Sequence, residues 1–255
     1  MRHRPKLATS TLGNVGSIAI TGIIGDRRDC FGKGDNMVKH MGRRPLDQCH
    51  IAVEGAIGVG KTTLCRKLAD HLGSATFFEQ VDDNPFIELF YQDPARHALS
   101  VQLSFLFSRL KHWQSLHQQE LFSHGIISDY FFAKDRIFAT VTLSDAELVL
   151  YDQVATLVSI DVPKPDLVIY LQSDPKVIMN RIRGRNRPME RGLKADYLQK
   201  IMAAYDQFFF HYQETPLLIV QTDRQNFAEN EEAVTALIER IDDMQSQTEF
   251  WADYT

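Results

Sequence analysis

The sequence predicts an α/β fold in which a five-stranded parallel sheet is flanked by helices. The segment from Gly55 to Thr62 matches the phosphate-loop pattern G-x-x-x-x-G-K-[ST] and directly follows an apolar run at residues 51–53. After residue 48, short apolar runs alternate with helical patterns. Acidic residues follow two of these runs, at the sheet edge where parallel folds bind ligands.

The predicted strands are short apolar runs, which suits strands that are buried on both faces of a parallel sheet. They lie at residues 50–54, 75–79, 125–128, 166–171 and 217–221. The phosphate loop leads into a helical pattern in which Leu64, Leu68 and Leu72 share one face. Gly73 marks the predicted end of this helix, because glycine readily adopts the left-handed conformation found after helices.

Later helices are recognised by the signals at their start. The longest helical pattern covers residues 95–122. Ser144 and Glu147 form a capping box, and Asp174 precedes Pro175, a proline at the first helical position. This alternation predicts a doubly wound domain whose ligands bind beyond the C-terminal ends of its strands.

Composition and charge limit the organisation and the partners of the chain. Residues 1–47 are rich in small and basic residues and lack a periodic pattern, so we expect a poorly ordered extension before one domain at residues 48–255. The net charge of −5 argues against a nucleic-acid-binding surface. The sequence contains no run of about 18 apolar residues, so no membrane span is predicted. The three cysteines form no C-x-x-C pair, so we expect no structural zinc site and a cytoplasmic setting.

The phosphate loop predicts a site for a nucleoside triphosphate. Its glycines permit positive φ angles and a close approach of the backbone to phosphate oxygens, and its lysine stabilises the phosphate charge. The alternative is a chance glycine-rich turn, although every fixed position of the pattern is filled between a strand and a helix. The expected nucleotide-binding residues are Gly55, Gly58, Gly60, Lys61, Thr62 and Thr63.

Two carboxylates are candidates for the chemistry beside this loop. Glu79 ends the second predicted strand, and Asp129 follows the third. Such an acid can act as a general base toward a hydroxyl group, or hold Mg²⁺ together with the hydroxyl of Thr62. A single acid at a strand end is more often a cap or a solvated charge. Two acids beside a phosphate loop favour a functional role.

A cluster of arginines follows the fourth predicted strand and the next helix. Its members are Arg181, Arg183, Arg185 and Arg187. Guanidinium groups on such a segment can close over a nucleotide as a lid and stabilise the charge of a transferred phosphoryl group. The alternative is a solvated basic helix end that complements the helix dipole. Beside a phosphate loop, the lid is the favoured interpretation.

The helical pattern after the second strand carries polar residues on one face. Gln102 and Arg109 are seven residues apart and therefore share that face. A glutamine there can form two hydrogen bonds with the edge of a nucleobase. This pattern alone is weak, because a glutamine on a helix is usually just exposed.

Residues from about 50 to 241 resemble the deoxyribonucleoside kinase family, P-loop kinases that transfer the γ-phosphate of ATP to the 5′-hydroxyl of a deoxynucleoside. The resemblance rests on the string F-E-Q-V-D-D-N-P-F at residues 78–86, on the following Phe90 and Tyr91, and on Gln102 and Arg109 at the family's spacing. The arginine cluster also matches the family, without a gap before Glu190.

The resemblance implies how the acceptor is bound. Glu79 matches the residue that takes the proton from the 5′-hydroxyl, and Tyr91 and Glu190 match the pair that holds the 3′-hydroxyl of the sugar. The residues that match the nucleobase pocket are Gln102, Arg109 and Asp135. The charged pair in that pocket suits an exocyclic amine or the N7/O6 edge of a purine, so we expect deoxyadenosine, deoxyguanosine or deoxycytidine, with purines favoured.

The donor side and the assembly also follow from the resemblance. It implies ATP and Mg²⁺ as cofactors, with Thr62 and Asp129 as metal ligands, and a homodimer. Phe227 lies where the family places a loop that contacts adenine, but it can equally be a hydrophobic anchor. The aromatic segment at residues 250–254 can dock on the domain or at a subunit contact. The lid residues that match are Arg181, Arg185 and Arg187.

One segment departs from the family pattern. Relatives carry an acid-Arg-Ser triplet after the third strand, whereas residues 129–131 read Asp-Tyr-Phe. The aspartate can serve the metal, but Tyr130 cannot replace a guanidinium. An alignment on Asp135 and Arg136 would move the pair beyond the strand end, so the first alignment is preferred. Whether Lys134, Arg136 or a lid arginine supplies the missing charge is open.

Two other functions share the phosphate loop. A nucleoside monophosphate kinase of the thymidylate kinase type would need cations around an acceptor phosphate, where Glu79 would be repulsive. A non-catalytic nucleotide-binding module is the alternative suggested by Tyr130. The sequence favours the deoxynucleoside kinase.

Overall fold

The structure is a computed structural model that describes residues 44–79, 81–117, 125–158, 164–190 and 192–252. Of the predicted N-terminal extension, residues 1–43 lie outside the described residues. Arg44 forms an ion pair with Asp166 at 3.6 Å, and a 3₁₀ turn at Leu46–Gln48 leads into the first strand.

One parallel sheet organises the domain. Its strands are β1 (His50–Gly55), β2 (Ala75–Phe77), β3 (Ile126–Ser128), β4 (Leu167–Gln172), β5 (Leu217–Gln221) and β6 (Thr248–Trp251). Their order across the sheet is β2-β3-β1-β4-β5-β6, and every neighbouring pair is parallel. The α/β class is therefore confirmed, and each predicted apolar run contributes a strand.

The prediction of five strands is wrong, because β6 adds a sixth strand at the edge beside β5. Residues of β6 alternate between exposed and half-buried positions, whereas β4 is buried at every position except its last. An edge strand with one face in solvent lacks the continuous apolar run that identified the inner strands. Phe250 and Trp251 of the C-terminal aromatic segment belong to this strand, and residues 253–255 lie outside the described residues.

The helices surround the sheet and begin near the predicted signals. They are α1 (Lys61–Leu72), α2 (Ile87–Gln92), α3 (Pro94–His117), α4 (Lys134–Thr142), α5 (Asp145–Val158), α6 (Pro175–Arg185), α7 (Ala195–Phe210) and α8 (Glu231–Asp242). Ser144 donates its backbone N–H and its hydroxyl to Glu147, at 2.9 and 2.6 Å. Asp174 accepts the N–H of Lys176 at 2.7 Å, with proline at the first helical position. Both predicted caps are confirmed.

The chain connections diverge at β1, which lies inside the sheet. On one side the chain runs out to β2 and returns to β3, and on the other side β4, β5 and β6 extend the sheet. Crevices for ligands form at the C-terminal ends of strands at such switch points. The phosphate loop follows β1 directly, while Glu79 and Asp129 follow β2 and β3 on the same edge.

The core lies between the sheet and its flanking helices. Leu64 and Leu68 of α1 are fully buried, as their spacing predicts, together with Leu198 of α7 and Leu237 of α8. A second apolar cluster joins α3, α4 and α5 around Leu106, Ala139 and Tyr151, and it supports the helices beyond the C-terminal sheet edge. Within the described residues, no helix is both long enough and apolar enough to cross a membrane.

The carboxylate of Glu249 ties β6 to the turn that precedes it and to α8. Replacing this residue tests how much the sixth strand contributes to stability. Its carboxylate accepts the backbone N–H groups of Gln245 and Ser246 at 2.7 and 2.8 Å and pairs with Arg240. We expect Glu249→Ala to lower the free energy of unfolding by about 1–3 kcal/mol in urea denaturation, because these donors lose their acceptor. Gln247→Ala, at an exposed side chain of the same segment, should change the free energy of unfolding by less than about 0.5 kcal/mol.

The same residue predicts a pH dependence. Burial would raise the pKa of Glu249, but the hydrogen bonds from Gln245 and Ser246 and the charge of Arg240 outweigh it and lower the pKa. Its contribution to stability is therefore present above the ordinary glutamate pKa and is lost as the pH falls through the lowered value. The stability difference between the wild type and Glu249→Ala should shrink below about pH 4, and an equal difference at neutral and acidic pH would contradict this assignment.

Candidate active site

The phosphate loop joins β1 to α1 and has the backbone that a phosphate site requires. Gly55, Gly58 and Gly60 have φ angles of 144°, 86° and 116°, which residues with a side chain rarely adopt. A Cβ atom on Gly55 would lie 2.5 Å from the carbonyl oxygen of Leu171, and one on Gly58 would lie 2.5 Å from Ile182. The loop therefore packs directly against β4 and α6, and it leads into the N-terminal end of α1, where backbone N–H groups can bind an anion.

Lys61 begins α1 inside the curve of this loop. Its Nζ donates hydrogen bonds to the carbonyl oxygens of Gly55 and Ala56 at 2.8 and 3.0 Å. Burial and, after it, the charge of Lys134 lower the pKa of Lys61 to about 8. Thr63, which was also expected to bind the nucleotide, is half-buried in the first turn of the helix. The loop thus holds the half-buried cation of Lys61 where phosphate oxygens would bind.

Asp129 connects α1 to the segment after β2. Its Oδ2 accepts the hydroxyl of Thr62 at 2.7 Å, and its Oδ1 accepts the backbone N–H of Glu79 at 2.8 Å. A carboxylate next to a hydroxyl offers the oxygen ligands that Mg²⁺ prefers, with phosphate and water completing the shell. Within the described residues there is no cluster of three or more His, Cys, Asp or Glu side chains that could hold a metal.

Glu79 lies in a buried group of opposite charges. Its Oε1 pairs with the guanidinium of Arg109, and its Oε2 accepts a hydrogen bond from Nζ of Lys134 at 2.5 Å. Burial alone would raise the pKa of Glu79, but Arg109 and Lys134 outweigh it and lower the pKa to about 2. The carboxylate is therefore ionised at neutral pH and can accept a hydrogen bond from a hydroxyl group.

Gln102, Arg109 and Asp135 bring polar atoms to the side of the site formed by α3 and α4. Arg109 pairs with Oδ1 of Asp135. Nε of Arg109, Oδ2 of Asp135 and Oε1 of Gln102 are buried and accept or donate no hydrogen bond within the described residues. Such atoms are costly to bury unless a ligand or water satisfies them. Gln102 and Arg109 line the cavity, whereas Asp135 is buried beside Arg109 and does not line it. The residues predicted to form the nucleobase pocket therefore offer one donor and two acceptors.

Thr142 sets the orientation of Gln102, and the sequence analysis missed it. Its hydroxyl donates to the carbonyl oxygen of Phe138 at 2.8 Å, so its oxygen accepts the amide N–H of Gln102 at 3.1 Å. The amide oxygen of Gln102 is then the acceptor left for a ligand. Thr142 follows Asp135 by seven residues and shares its helical face, which was the available signal in the sequence.

Tyr91 and Glu190, predicted to hold the sugar, approach each other near the end of α6. Arg185 donates from Nε to Oε2 of Glu190 at 2.8 Å, and Nη2 of Arg185 pairs with Oε1 of the same carboxylate. Burial and, after it, the charge of Glu190 raise the pKa of Tyr91 to about 12. The tyrosine hydroxyl therefore remains protonated and can donate a hydrogen bond.

The predicted arginine lid divides into two parts. Arg185 and Arg187, at the end of α6 and just after it, line the cavity into which the phosphate loop and Glu79 also open. Arg181 instead donates to the carbonyl oxygens of Val59 and Thr222 at 3.0 and 2.8 Å. Arg181 therefore ties the phosphate loop to the segment after β5, and it is not among the residues that line the cavity.

The candidates for the missing charge after β3 have different surroundings. Tyr130 is fully buried, and its ring centre lies 5.3 Å from the guanidinium carbon of Arg109. The side chain of Arg136 is 63% exposed and pairs with Asp152. Lys134, the first residue of α4, lines the cavity. This geometry favours the alignment on Asp129 and places Lys134 at the site.

Phe227 is 6% exposed and belongs to the main apolar core. Phe227 does not line the cavity that contains Lys61 and Glu79. This position fits the hydrophobic anchor, which was one of the two roles that the sequence left open for Phe227.

Glu54 is a buried carboxylate that the sequence analysis missed. It precedes Gly55 in β1 and is fully buried. It accepts the backbone N–H of Phe131 at 2.9 Å and of Gly55 at 3.2 Å, and the hydroxyl of Tyr205 at 3.0 Å. Burial raises the pKa of Glu54. An acid at the end of the strand that feeds the phosphate loop was the signal for it.

One cavity of about 520 Å³ brings these groups together, within the range usual for small-molecule sites. Phe78, Phe105 and Phe138 contribute to its apolar walls. The residues predicted from the sequence that line it are Gly58, Lys61, Thr62, Glu79, Tyr91, Gln102, Arg109, Asp129, Arg185, Arg187 and Glu190. The phosphate loop and the predicted acceptor site therefore open into the same space.

Comparison with known proteins identifies relatives of this chain. The model of a family described as deoxynucleoside kinase matches residues 51–246. The chain is 32% identical over 185 residues to a deoxyguanosine kinase of Bacillus subtilis (strain 168), covering 71% of this chain and 89% of the relative. It is 33% identical over 171 residues to a deoxyadenosine kinase of Dictyostelium discoideum, covering 65% of this chain and 69% of the relative.

A solved structure shares the fold. It is the deoxyadenosine kinase from M. mycoides with bound dCTP, which is 24% identical to this chain, with a TM-score of 0.64 and coverage of 75% of this chain and 97% of that chain. The family match spans most of the sequence, and the phosphate loop and the cavity agree with it. The chain therefore belongs to the deoxynucleoside kinase family, and it is an ATP-dependent kinase that converts a deoxynucleoside to its monophosphate.

Proposed function

We propose that this kinase phosphorylates the 5′-hydroxyl of deoxyadenosine, deoxyguanosine or deoxycytidine, with Mg²⁺ and ATP on the donor side and Glu79 as the general base. The observation that carries the proposal is the cavity that joins the phosphate loop to Glu79 and Gln102. Donor and acceptor bound in one cavity can bring the attacking oxygen to the γ-phosphorus. We propose residues 48–255 as the catalytic domain and the cytoplasm as its setting.

The reaction then uses side chains that already face the cavity. The 5′-oxygen attacks the γ-phosphorus, the bond from that phosphorus to the bridging oxygen breaks, and Glu79 receives the hydroxyl proton. A carboxylate with a pKa of about 2 is a weak base, so it accepts the proton late, when the attacking oxygen has become acidic. A loose transition state, in which bond formation lags, suits this order.

Several groups would neutralise the negative charge of the phosphates. Thr62 and Asp129 would hold Mg²⁺, which neutralises phosphate charge when it is bound. Lys61 binds phosphate oxygens from the loop, and Arg185 and Arg187 do so from the lid side. On the acceptor side, Tyr91 and Glu190 would hold the 3′-hydroxyl as hydrogen-bond donor and acceptor.

The base preference rests on three orphaned polar atoms, of which two belong to the cavity residues Gln102 and Arg109 and one to Asp135, the partner of Arg109. Oε1 of Gln102 and Oδ2 of Asp135 need donors, and Nε of Arg109 needs an acceptor. Adenine and cytosine offer an exocyclic amine, and guanine offers N–H groups together with the O6/N7 acceptors. Thymine has a single N–H donor, so it would leave one acceptor unsatisfied. The pocket therefore favours purines and cytosine over thymine.

A nucleoside monophosphate kinase is not favoured. Its acceptor would bring a phosphate next to Glu79, whose carboxylate is ionised and largely shielded from water, and the two negative charges would repel each other. A non-catalytic nucleotide-binding module is not favoured either, because residues suited to bind an acceptor line the same cavity as the phosphate loop.

We also propose a homodimer that forms through α3 and α5. These helices pack against each other and expose large apolar side chains, with Phe107 51%, Leu150 47% and Leu157 75% exposed. Exposed apolar groups on neighbouring helices mark association surfaces. A second copy of the chain is the proposed occupant, because the resemblance to the family implies a homodimer.

The role of Glu79 as the base predicts a loss of turnover. Glu79→Gln should lower kcat by about 10²–10⁴-fold, because the amide cannot accept the proton. Nucleotide binding, measured by calorimetry, should change little, since the phosphate loop is intact. Glu88→Gln on α2, at an exposed position, is the matched control and should behave as the wild type. Near-normal turnover of Glu79→Gln would reject the base assignment.

The proposed pocket predicts an ordered substrate panel and a role for Thr142. The wild type should phosphorylate a purine deoxynucleoside or deoxycytidine with higher kcat/KM than thymidine. Thr142→Val removes the acceptor that orients Gln102, so KM for the preferred substrate should rise about 5–10-fold, the effect of one lost hydrogen bond. Thr140→Val is the control, because this hydroxyl donates to Ile137 and lies outside the cavity. Thymidine as the best substrate would overturn the base preference.

The dimer surface predicts a change of mass in solution. Sedimentation equilibrium should give twice the chain mass of 29.2 kDa for the wild type. Leu157→Lys should shift the equilibrium toward the monomer, because it places a charge in an apolar contact. Phe210→Lys is a matched control at an exposed phenylalanine on α7, and it should leave the dimer intact. A monomeric wild type would rule out the dimer.

A further inference from the structure

The reacting end of the site lacks the arginine that the family pattern places after β3. Tyr130 stands at that position, and its ring is buried between Phe77 and Arg109, at 5.5 Å from the ring centre of Phe77. Tyr130 therefore packs behind Arg109 and does not line the cavity. The charge for the reacting oxygens must come from another residue.

Most of the neighbouring cations are committed elsewhere. Arg136 pairs with Asp152 at the surface, and Arg181 binds backbone carbonyl oxygens. Lys61, Arg185 and Arg187 already have proposed roles at the phosphates of the donor. Arg109 bridges Glu79 and Asp135 through separate nitrogens, so its guanidinium is already used on two carboxylates.

Lys134 is the remaining cation that contacts the proposed base and lines the cavity. Its Nζ donates to Oε2 of Glu79 at 2.5 Å, and its side chain is 7% exposed and lines the cavity. An ammonium carries three donors, so a hydrogen bond to Glu79 leaves others for oxygen atoms of a substrate. The flexible lysine stem also permits a small shift from the carboxylate toward a phosphoryl group.

The position of Lys134 is unfavourable for a residue with a purely structural role. It begins α4, where the helix dipole repels cations, and it is buried close enough to Lys61 for the two charges to repel. Lysine is seldom buried unless its charge is matched. A neutral side chain could pack against Phe138, which lies 5.9 Å from Nζ, without these penalties.

We propose that Lys134 is a catalytic residue that takes the place of the family arginine, binding both Glu79 and the oxygens of the phosphoryl group in transfer. This inference rests on the proposed role of Glu79. As the 5′-oxygen bonds to the γ-phosphorus and ADP departs with the electrons of the broken P–O bond, the hydroxyl proton passes to Glu79. Lys134 keeps its own protons and stabilises the negative charge on the equatorial oxygens.

The neighbour of Lys134 explains why α4 can serve both ends of the acceptor. Lys134 faces Glu79 at the reacting end, and Asp135 pairs with Arg109 at the nucleobase end. The turn before α4 is fixed by the hydrogen bond from Phe131 to Glu54. The start of one helix thus delivers a cation to the phosphoryl group and an anion to the nucleobase pocket.

The first test compares side chains of similar length at this position. Lys134→Met should lower kcat by about 10²–10³-fold with little change in KM for ATP, because charge stabilisation is lost only in the transition state. Lys134→Arg should keep kcat within about tenfold of the wild type, since it retains the charge. Arg136→Met is the control and should retain normal kcat. A Lys134→Met variant with kcat within about threefold of the wild type would overturn the proposal.

The second test restores a positive charge near the reacting oxygens in variants that lack Lys134. Tyr130→Arg combined with Lys134→Met should recover at least about tenfold of the lost kcat, because it restores a cation near the strand end. Since Tyr130 is buried and that variant can fail to fold, Lys134→Ala with added methylammonium is measured in parallel and should also recover kcat. Recovery in either arm supports the proposal, and folded variants with no recovery in both arms overturn it.

Failure of the base assignment gives a different result. If Lys134→Met is inactive while Glu79→Gln turns over normally, Glu79 is not the base and the role of Lys134 at the phosphoryl group stands. If Glu79→Gln is inactive while Lys134→Met turns over normally, the base stands and the role of Lys134 is rejected. A thermal unfolding curve for each variant separates loss of catalysis from loss of folding.

Discussion

The site depends on the carboxylate of Asp129, which binds two segments that are distant in the chain. The hydroxyl of Thr62 and the backbone N–H of Glu79 lie 67 and 50 residues away in sequence, and each donates to one oxygen of Asp129. The proposed metal ligand therefore also orients the backbone of the proposed base. Because both carboxylate oxygens are used, the donor and acceptor halves of the cavity have a fixed separation before any substrate binds.

Burial of the charged groups is the second constraint. Glu79 is stabilised by Arg109 and Lys134, and Arg109 is shared with Asp135, so no charge in this group stands alone. Unpaired charges in such an environment would be far more costly than the pairs. Tyr130 takes part in this arrangement, since its ring supports the guanidinium of Arg109. In the proposed mechanism, the departure from the family triplet changes which residue supplies the cation and leaves the charge balance intact.

The sequence identified those features that are encoded locally. The phosphate loop, the acids at strand ends and the seven-residue spacing of Gln102 and Arg109 predicted seven of the residues that line the cavity. The arginine cluster and the family resemblance added Arg185, Arg187, Tyr91 and Glu190. β6 was missed because an edge strand alternates in exposure, and Glu54 and Thr142 were missed because their hydrogen bonds join elements that are distant in sequence. The contacts of Arg181 with Val59 and Thr222 could not be read from the arginine cluster, because they depend on how α6 packs against the loop.

Glu54 has a consequence for the order in which the molecule acquires activity. Its hydrogen bonds to Phe131 and Tyr205 span 77 and 151 residues, and they join the strand of the phosphate loop to the turn before α4 and to α7. Contacts between such distant segments form late in folding, because large loops must close first. The phosphate loop depends on distant segments as well, because Gly55 and Gly58 pack against Leu171 of β4 and Ile182 of α6. The donor and acceptor halves of the site therefore form together, when the whole domain assembles.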